Sequence, residues 1–408
     1  MRERKKKTML QFLPKKEDDW ITRQMIILPF FYLLLGMVFA TPSLATRLFI
    51  EHELKANPAF MQFVSMTVTL PWIIKPLYGL IADSIPLFGY RKKSYIMIFS
   101  VVSLLGWWLL AVLPASVMTT FCCMLLSSLG LVICDVVVDS LLVILAQYEQ
   151  GSSIGNIQSN TTAMRSVGYL LGAVLSFFFL RSTNEDDPNR FPPRMFFNFT
   201  AISTFFIFIF AFFIHDVKVS DGDSKDVIGE KIATVKRCFE NEDIWKPALF
   251  IFLFGATPTS SSAFFYFLNE PVDKGGLGFD SHFLAVLSIF ASTSSILGAW
   301  CFRCFLKNKS IRNVLIGTTV LGTVCSSFQL LLISRYNLEL GIPDKFFAIG
   351  DDVLMAALSR IAFLPILVLA ARITPKGVEA TVYASLISIS NFSEIISSSL
   401  GSILTSML

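Results

Sequence analysis

The chain has 408 residues, 54% hydrophobic and 16% charged; its 22 Gly raise the apolar share to about 59%, against about 45–50% apolar and 25% charged in soluble domains. A single soluble domain is excluded, and so is a disordered chain, which is poor in aromatics where this one carries 40 Phe. Its 34 Lys plus Arg and 30 Asp plus Glu leave a net charge of +4, too small to call for a nucleic-acid partner.

Apolar runs of bilayer-crossing length follow one another along the chain. A basic leader, residues 1–25, precedes the first, Ile26 to Phe49, which is about twice as long as a secretory h-region and is therefore retained. Further spans run from Ala59 to Ala82, Ser94 to Pro114, Thr119 to Ala146, Ile154 to Leu180 and Phe196 to Ile214, completing an N-terminal six-helix bundle over residues 26–214. Residues 215–246 form a charged linker. Within it Ile228, Ile232, Val235 and Phe239 recur at helical spacing opposite Lys231, Lys236 and Arg237, the pattern of an amphipathic helix lying on a membrane surface. Five more spans, Pro247 to Leu268, Phe283 to Arg303, Ile311 to Ser334, Val353 to Ala371 and Gly377 to Leu408, make a C-terminal bundle over residues 247–408. The expected architecture is an all-α, multi-pass membrane protein of eleven transmembrane helices, its two bundles facing each other across a pathway.

Loops on the N-terminal side hold 23 Lys and Arg and those on the other side seven, which orients the N-terminus to the cytosol. The plasma membrane is the expected location and an organellar membrane the alternative; oligomeric state is left open. Cys122, Cys123, Cys134, Cys301, Cys304 and Cys325 lie in or beside apolar runs, so no disulfide framework is indicated, and the Cys301/Cys304 pair has no histidine to make a metal site.

Ionisable residues in hydrocarbon are costly and mark function by default. Spans three, six and nine have none in their interiors and read as lipid-facing. Span two has Lys75, span four Asp135 and Asp139, span five Arg165, span ten Arg360 and span eleven Glu394. Trp72, Lys75 and Gly79 share one helix face between Pro71 and Pro76. Lys75 lies about 12 Å from Asp83 along the axis, so it either faces the pathway or snorkels to the interface. Asp135 and Asp139, four apart, occupy one face of span four, with Ser128 two turns earlier. Two such carboxylates do not both ionise freely unless a cation intervenes. Arg165, at similar depth with Gln158 two turns away on the same face, is that cation. The cluster is either a structural ion network or a proton-coupling site.

Span seven is broken at mid-bilayer by Gly255 to Ser262, which includes Thr257, Pro258 and Ser261, as in helices that line a cavity. The aromatic run behind it, with Tyr266, either packs or stacks on a flat ring. Arg360 and Glu394, at comparable depths, are expected to pair with Asn391 nearby. There is no G-x-x-x-x-G-K-[ST] loop, H-E-x-x-H or G-x-S-x-G, so neither ATP hydrolysis nor a membrane hydrolase is indicated, and no cofactor or metal is expected.

The run from Leu70 to Ser94, containing Lys75, Gly79, Asp83, Arg91, Lys92 and Lys93, resembles the signature of the folate-biopterin transporters, a branch of the major facilitator superfamily. Asp135-Val-Val-Val-Asp139, Gly155-Asn-Ile-Gln158 with Arg165 and Gly168, Gly350-Asp-Asp352, Phe363 to Arg372 and Gly377 to Thr381 are similar to other stretches of that family. The resemblance implies twelve helices with alternating access, the twelfth missing here, and uptake of pterins or folates by proton symport. It also implies a conformational latch in which Asp83 is stabilised by Arg91 or Lys92 and by the N-terminus of span eleven near Gly377. Arg360 stands where the family usually has an uncharged polar residue, and Val143 to Ala146 lack an acid and base found in relatives. The expected function is proton-coupled import of a folate or pterin-like heterocycle. Trp72, Lys75, Gln158, Arg165, Thr257, Ser261, Tyr266, Arg360 and Asn391 face substrate, and Asp135 and Asp139 carry the proton. The alternatives are a transporter of another metabolite such as S-adenosylmethionine, with the Asp pair as ligands, and a transport-dead pterin receptor.

Overall fold

A computed structural model describes residues 15–54, 68, 71–149, 155–179, 192–216, 218, 227–258, 264, 267–268, 272–279, 281–375 and 378–407. Helix α1, Lys15–Leu48, runs on into a π-helical turn at Phe49–Glu53. It is followed by α2 (Lys75–Ser84), α3 (Lys93–Val112), α4 (Val117–Ala146), α5 (Asn156–Phe179) and α6 (Pro193–Ala211). After the linker come α7 (Val227–Glu240), α8 (Glu242–Gly255), α9 (Ser281–Cys301, extended by a π-helix at Phe302–Leu306) and α10 (Ile311–Ile333). The short α11 (Tyr336–Glu339), α12 (Asp344–Ile373) and α13 (Glu379–Met407) complete the chain.

Among the described residues eight helices are long and apolar enough to cross a membrane: α1, α3, α4, α5, α6, α9, α10 and α12. The second, seventh and eleventh expected spans correspond to α2, α8 and α13, which are not among the eight; parts of the second and seventh lie outside the described residues, so the count of eleven is not tested. Local signals set the helix starts. Ser116 accepts from Thr119 N to cap α4, Ser310 from Asn313 N to cap α10, and Asn241 from Asp243 N to cap α8. Between α2 and α3 the chain reverses through Phe88 and Gly89, both at positive φ, closed by a Leu87–Tyr90 bridge.

Within the first half α1 packs on α5 and α6, and α3 on α4 and α6; within the second, α9 and α10 pack on α12, and α8 on α13. The halves meet where α5 lies against α9 and α2 against α13. Helix α4 is the most enclosed span, 78% buried over its apolar window, and α10 the least, at 11%. α10 is therefore exposed as its uncharged sequence suggests, but α3 and α6, at 44% each, are more buried than the charged α5 at 28%. α3 and α6 pack on each other as well as on the core, whereas α5 packs on α1 and on α9 of the second half. The main core joins Phe31, Leu35, Val137 and Ile207 of the first half to Val382, Tyr383 and Leu386 of α13. The linker helix α7 forms as expected but lies against α8 and α2, with Val235 and Cys238 packed on that core. Its apolar stripe is thus partly covered by protein.

Candidate functional site

Asp135 of α4 is 1% exposed. Its two carboxylate oxygens accept from two cations, Lys75 Nζ of α2 at 2.6 Å and Arg165 Nη2 of α5 at 2.5 Å. Lys75 therefore neither snorkels to the interface nor stands free for a ligand: its ammonium is tied to Asp135 and held 4.5 Å above the Trp72 ring. Asp139, one turn along α4, accepts from the Tyr32 hydroxyl of α1 at 2.5 Å, and Arg165 stays within electrostatic reach of it. The Arg165 guanidinium lies 4.7 Å over the Tyr32 ring. Two acids and two bases from α2, α4 and α5 thus form one buried cluster whose formal charges cancel. The sequence spacing anticipates Arg165 beside the acids. It does not anticipate Lys75 as the second partner of Asp135, nor Tyr32, which sits in the aromatic run Phe30 to Tyr32 with no polar neighbour to single it out.

The cluster depends on a close helix crossing. A Cβ on Gly36 would sit 2.2 Å from the Arg165 carbonyl oxygen, and one on Gly168 2.1 Å from the Leu33 oxygen. No other residue type permits α1 and α5 to approach so closely, and that approach puts Tyr32 beneath Arg165.

Beside the charges stands an aromatic wall. Phe39 contacts Trp72 at 5.1 Å and Tyr169 at 6.3 Å between ring centroids, and Trp72 Nε1 donates to Ser128 Oγ at 3.1 Å. Gln158 is buried two turns from Arg165, and among the described residues its Oε1 has no hydrogen-bond donor and Arg165 Nε no acceptor. From the second half, Arg360 of α12 lies within electrostatic reach of Arg165 and Tyr169. The expected Arg360–Glu394 ion pair does not form: Glu394 is exposed, while the Arg360 Cβ lies 3.3 Å from where a side chain on Gly298 would begin, turning the residue toward α9 and away from α13. Asn391 is half-buried on α13, and among the described residues no hydrogen bond joins it to Arg360. α8 ends at Gly255, and Thr257 just beyond it is exposed, its hydroxyl donating to the Phe254 carbonyl; residues 259–262 of the expected break lie outside the described residues. Ser261 and Tyr266 lie outside the described residues.

At one end of the bundle the halves are tied together. Asp83 at the end of α2 accepts from the Thr381 backbone N–H at 2.9 Å and from its hydroxyl at 2.8 Å, in the first turn of α13, while Lys92 donates to its other oxygen at 3.1 Å. Gly79 allows this approach, since a Cβ there would meet the Ala380 oxygen at 2.6 Å. Arg91, the other expected partner, makes no ion pair with Asp83 and leaves its Nε buried without an acceptor. The turn between α2 and α3 projects Lys92, the next residue, toward Asp83 instead, while the Lys92 and Lys93 backbone N–H groups bind Asp216.

A second tie, not anticipated, lies at the same end. Glu149, in the loop before α5, accepts from Gly155 N at 2.8 Å and Ile157 N at 2.7 Å. Burial pushes its carboxyl up from the ordinary glutamate value. The helix start so fixed presents Asn156 to Lys307 at 2.9 Å and Asn160 to Arg303 at 2.5 Å, and Ser159 donates to the Ala299 carbonyl of α9 at 2.9 Å. In sequence these asparagines look like any polar helix start.

The chain matches the BT1 family over residues 36–408. It is 35% identical over 373 residues to a folate-biopterin transporter of Synechocystis sp., covering 90% of this chain and 72% of that one. It is 29% identical over 353 residues to the probable folate-biopterin transporter 6 of Arabidopsis thaliana, covering 84% and 68%, and 28% identical over 364 residues to folate transporter 2 of Plasmodium falciparum, covering 89% and 76%. Among solved structures it is similar to the major facilitator superfamily proton:xylose symporter XylE bound to 6-bromo-6-deoxy-D-glucose, with a TM-score of 0.69 at 13% identity over 96% of this chain and 90% of that one. A partially occluded inward-open form of XylE from E. coli gives 0.57 at 14% identity over 92% of each chain. At such identities the likeness is one of fold. The two-half helical fold is that of the major facilitator superfamily, and with a match over residues 36–408 the protein belongs to the BT1 family, a family of membrane transporters and not of enzymes.

Proposed function

We propose that the protein imports a folate or pterin-like heterocycle by alternating access, coupled to protons. The observation that carries this reading is the charge-balanced cluster of Lys75, Asp135, Arg165 and Asp139 beside the Phe39–Trp72–Tyr169 wall. With both acids ionised, the cluster has no net charge and little attraction for an anion. A proton on Asp139, whose hydrogen-bond partner is the neutral Tyr32, leaves one positive charge to spare at Arg165. Proton and anionic substrate then favour each other's binding, as symport requires. The bicyclic ring stacks on the aromatic wall. Gln158 Oε1 and Arg165 Nε, buried without partners, supply hydrogen bonds, and Arg360 contributes a second cation from the other half. Because Asp135 and Asp139 are already engaged, the cluster suits an anionic or neutral substrate better than a cation such as S-adenosylmethionine.

The excess of Lys and Arg on the N-terminal side of the loops supports a cytosolic N-terminus. In that orientation the Asp83–Thr381 and Arg303–Asn160 ties lie at the cytosolic end and hold it closed, which on this reading leaves substrate entry to the opposite side. The test is uptake of labelled folate and of labelled biopterin by proteoliposomes with and without an inward acid gradient. Gradient-dependent accumulation supports the proposal; equal uptake in both conditions removes the coupling, and binding without counterflow exchange turns the protein into a receptor.

A further inference from the structure

Away from the central cluster, a cavity of about 50 Å³ opens between the end of α9, the start of α10 and the last turns of α12. Its polar lining is Lys307, Lys309 and Arg372, and its walls are apolar, with Phe302, Ile311 and Pro365 among them. Arg303 and Arg312 flank it, and neither 299–315 nor 361–378 contains an Asp or Glu. Lys307 is held by the neutral Asn156 side chain with Glu149 in electrostatic reach, and among the described residues no ion pair engages Lys309 or Arg372. Arg372 closes α12, where a cation suits the helix dipole, but Lys309 and Arg312 bracket the start of α10, where it does not, and the first turn of α10 has no acid to offset them. The outward side of α9 beside the cavity carries Trp300 and Phe305, both exposed and in edge-to-face contact at 5.9 Å, the kind of aromatic pair that sits at a membrane–water boundary.

We propose that this pocket binds a phosphate group, presented either by the headgroup of an anionic phospholipid or by free phosphate. Three converging cations match a phosphate oxyanion, and Glu149, the acid within electrostatic reach of Lys307, has its two oxygens taken by the Gly155 and Ile157 amides. A volume of about 50 Å³ is about three to five times what one water needs, which fits a phosphate head but excludes a pteridine. Basic pockets between transmembrane helices near the boundary take lipid phosphates in this way.

The test measures the melting temperature of the full-length protein in neutral detergent with phosphatidylcholine alone, with added phosphatidylglycerol, or with millimolar inorganic phosphate at constant ionic strength. Stabilisation by phosphatidylglycerol or by phosphate, of about 3 °C or more, is expected to vanish in the Lys309→Gln/Arg372→Gln variant. It is expected to persist in a Lys236→Gln/Arg237→Gln control, which removes two exposed charges elsewhere. A response to phosphatidylglycerol alone assigns the site to lipid, and a response to inorganic phosphate assigns it to the free anion. No response to either, full retention in the pocket variant, or equal loss in the control overturns the proposal.

Discussion

Asp83 and Thr381, 298 residues apart in sequence, are joined by two hydrogen bonds to one carboxylate oxygen, one from the backbone and one from the hydroxyl of the threonine. The contact holds the end of α2 against the first turn of α13. Asp83→Asn keeps the shape but removes the charge that suits the helix N-terminus and Lys92, a loss of about 1–3 kcal/mol from this contact. Hydrogen exchange across 378–384 is expected to accelerate in the variant while global melting changes little. Unchanged exchange there would show that the contact does not hold the two halves together.

Replacing Asp139 by Asn fixes that position in its uncharged form. The expected result is loss of gradient-driven accumulation with counterflow exchange retained, since the binding charge at Arg165 is then permanent. Full accumulation by the variant in an acid gradient contradicts Asp139 as the proton carrier.

The Lys75–Asp135 pair makes a different prediction, about stability. Removing one partner of a buried pair costs about 3–5 kcal/mol, whereas removing both can be nearly neutral. Lys75→Gln and Asp135→Asn are each expected to lower the melting temperature, with Lys75→Gln/Asp135→Asn recovering part of the loss. Arg165, left without Asp135, limits the recovery. Strict additivity of the single effects would argue against a shared network.

Arg360→Gln leaves the folded core untouched, because no ion pair engages the guanidinium among the described residues. The apparent affinity for an anionic substrate is expected to fall about tenfold, the equivalent of one lost charge-assisted hydrogen bond of about 1.4 kcal/mol. An unchanged KM removes Arg360 from the binding surface.

Glu149 supplies a pH dependence. Burial raises its carboxyl above the ordinary 4.5, so the folded protein holds that proton more tightly than the unfolded chain. This contribution to stability is complete below pH 4.5 and is lost as pH rises through the folded-state value. The melting temperature of the wild type relative to Glu149→Gln should therefore fall as pH rises through that window. A difference that stays flat or grows would show that the Gly155 and Ile157 amides outweigh the burial.

Much of this arrangement is legible in the sequence because hydrocarbon makes charges conspicuous. Lys75, Asp135, Arg165 and Arg360 stand out from apolar neighbours, and the motif around Asp83 points to the start of α13. Axial depth can be read from residue counting, but the direction a side chain faces cannot. Arg360 and Glu394 match in depth, yet Arg360 faces α9, so they do not meet. For the same reason the sequence leaves Lys75 between facing the pathway and snorkelling until α2 is seen packed on α4. Tyr32 and Asn156 are hidden for another reason: a lone hydroxyl in an aromatic run and an asparagine at a helix start are common everywhere, and only the partner across the interface gives them a role.

The backbone contact at Gly36 and Gly168 has a mechanical consequence. Helices touching so closely cannot slide or roll past one another, so Tyr32 and Arg165 ride on a single stiff strut whichever way the carrier tilts. On the reading proposed above, the spacing between the proton's hydroxyl partner and the substrate's cation is then set by this backbone contact, and what changes through the cycle is the side from which water reaches them.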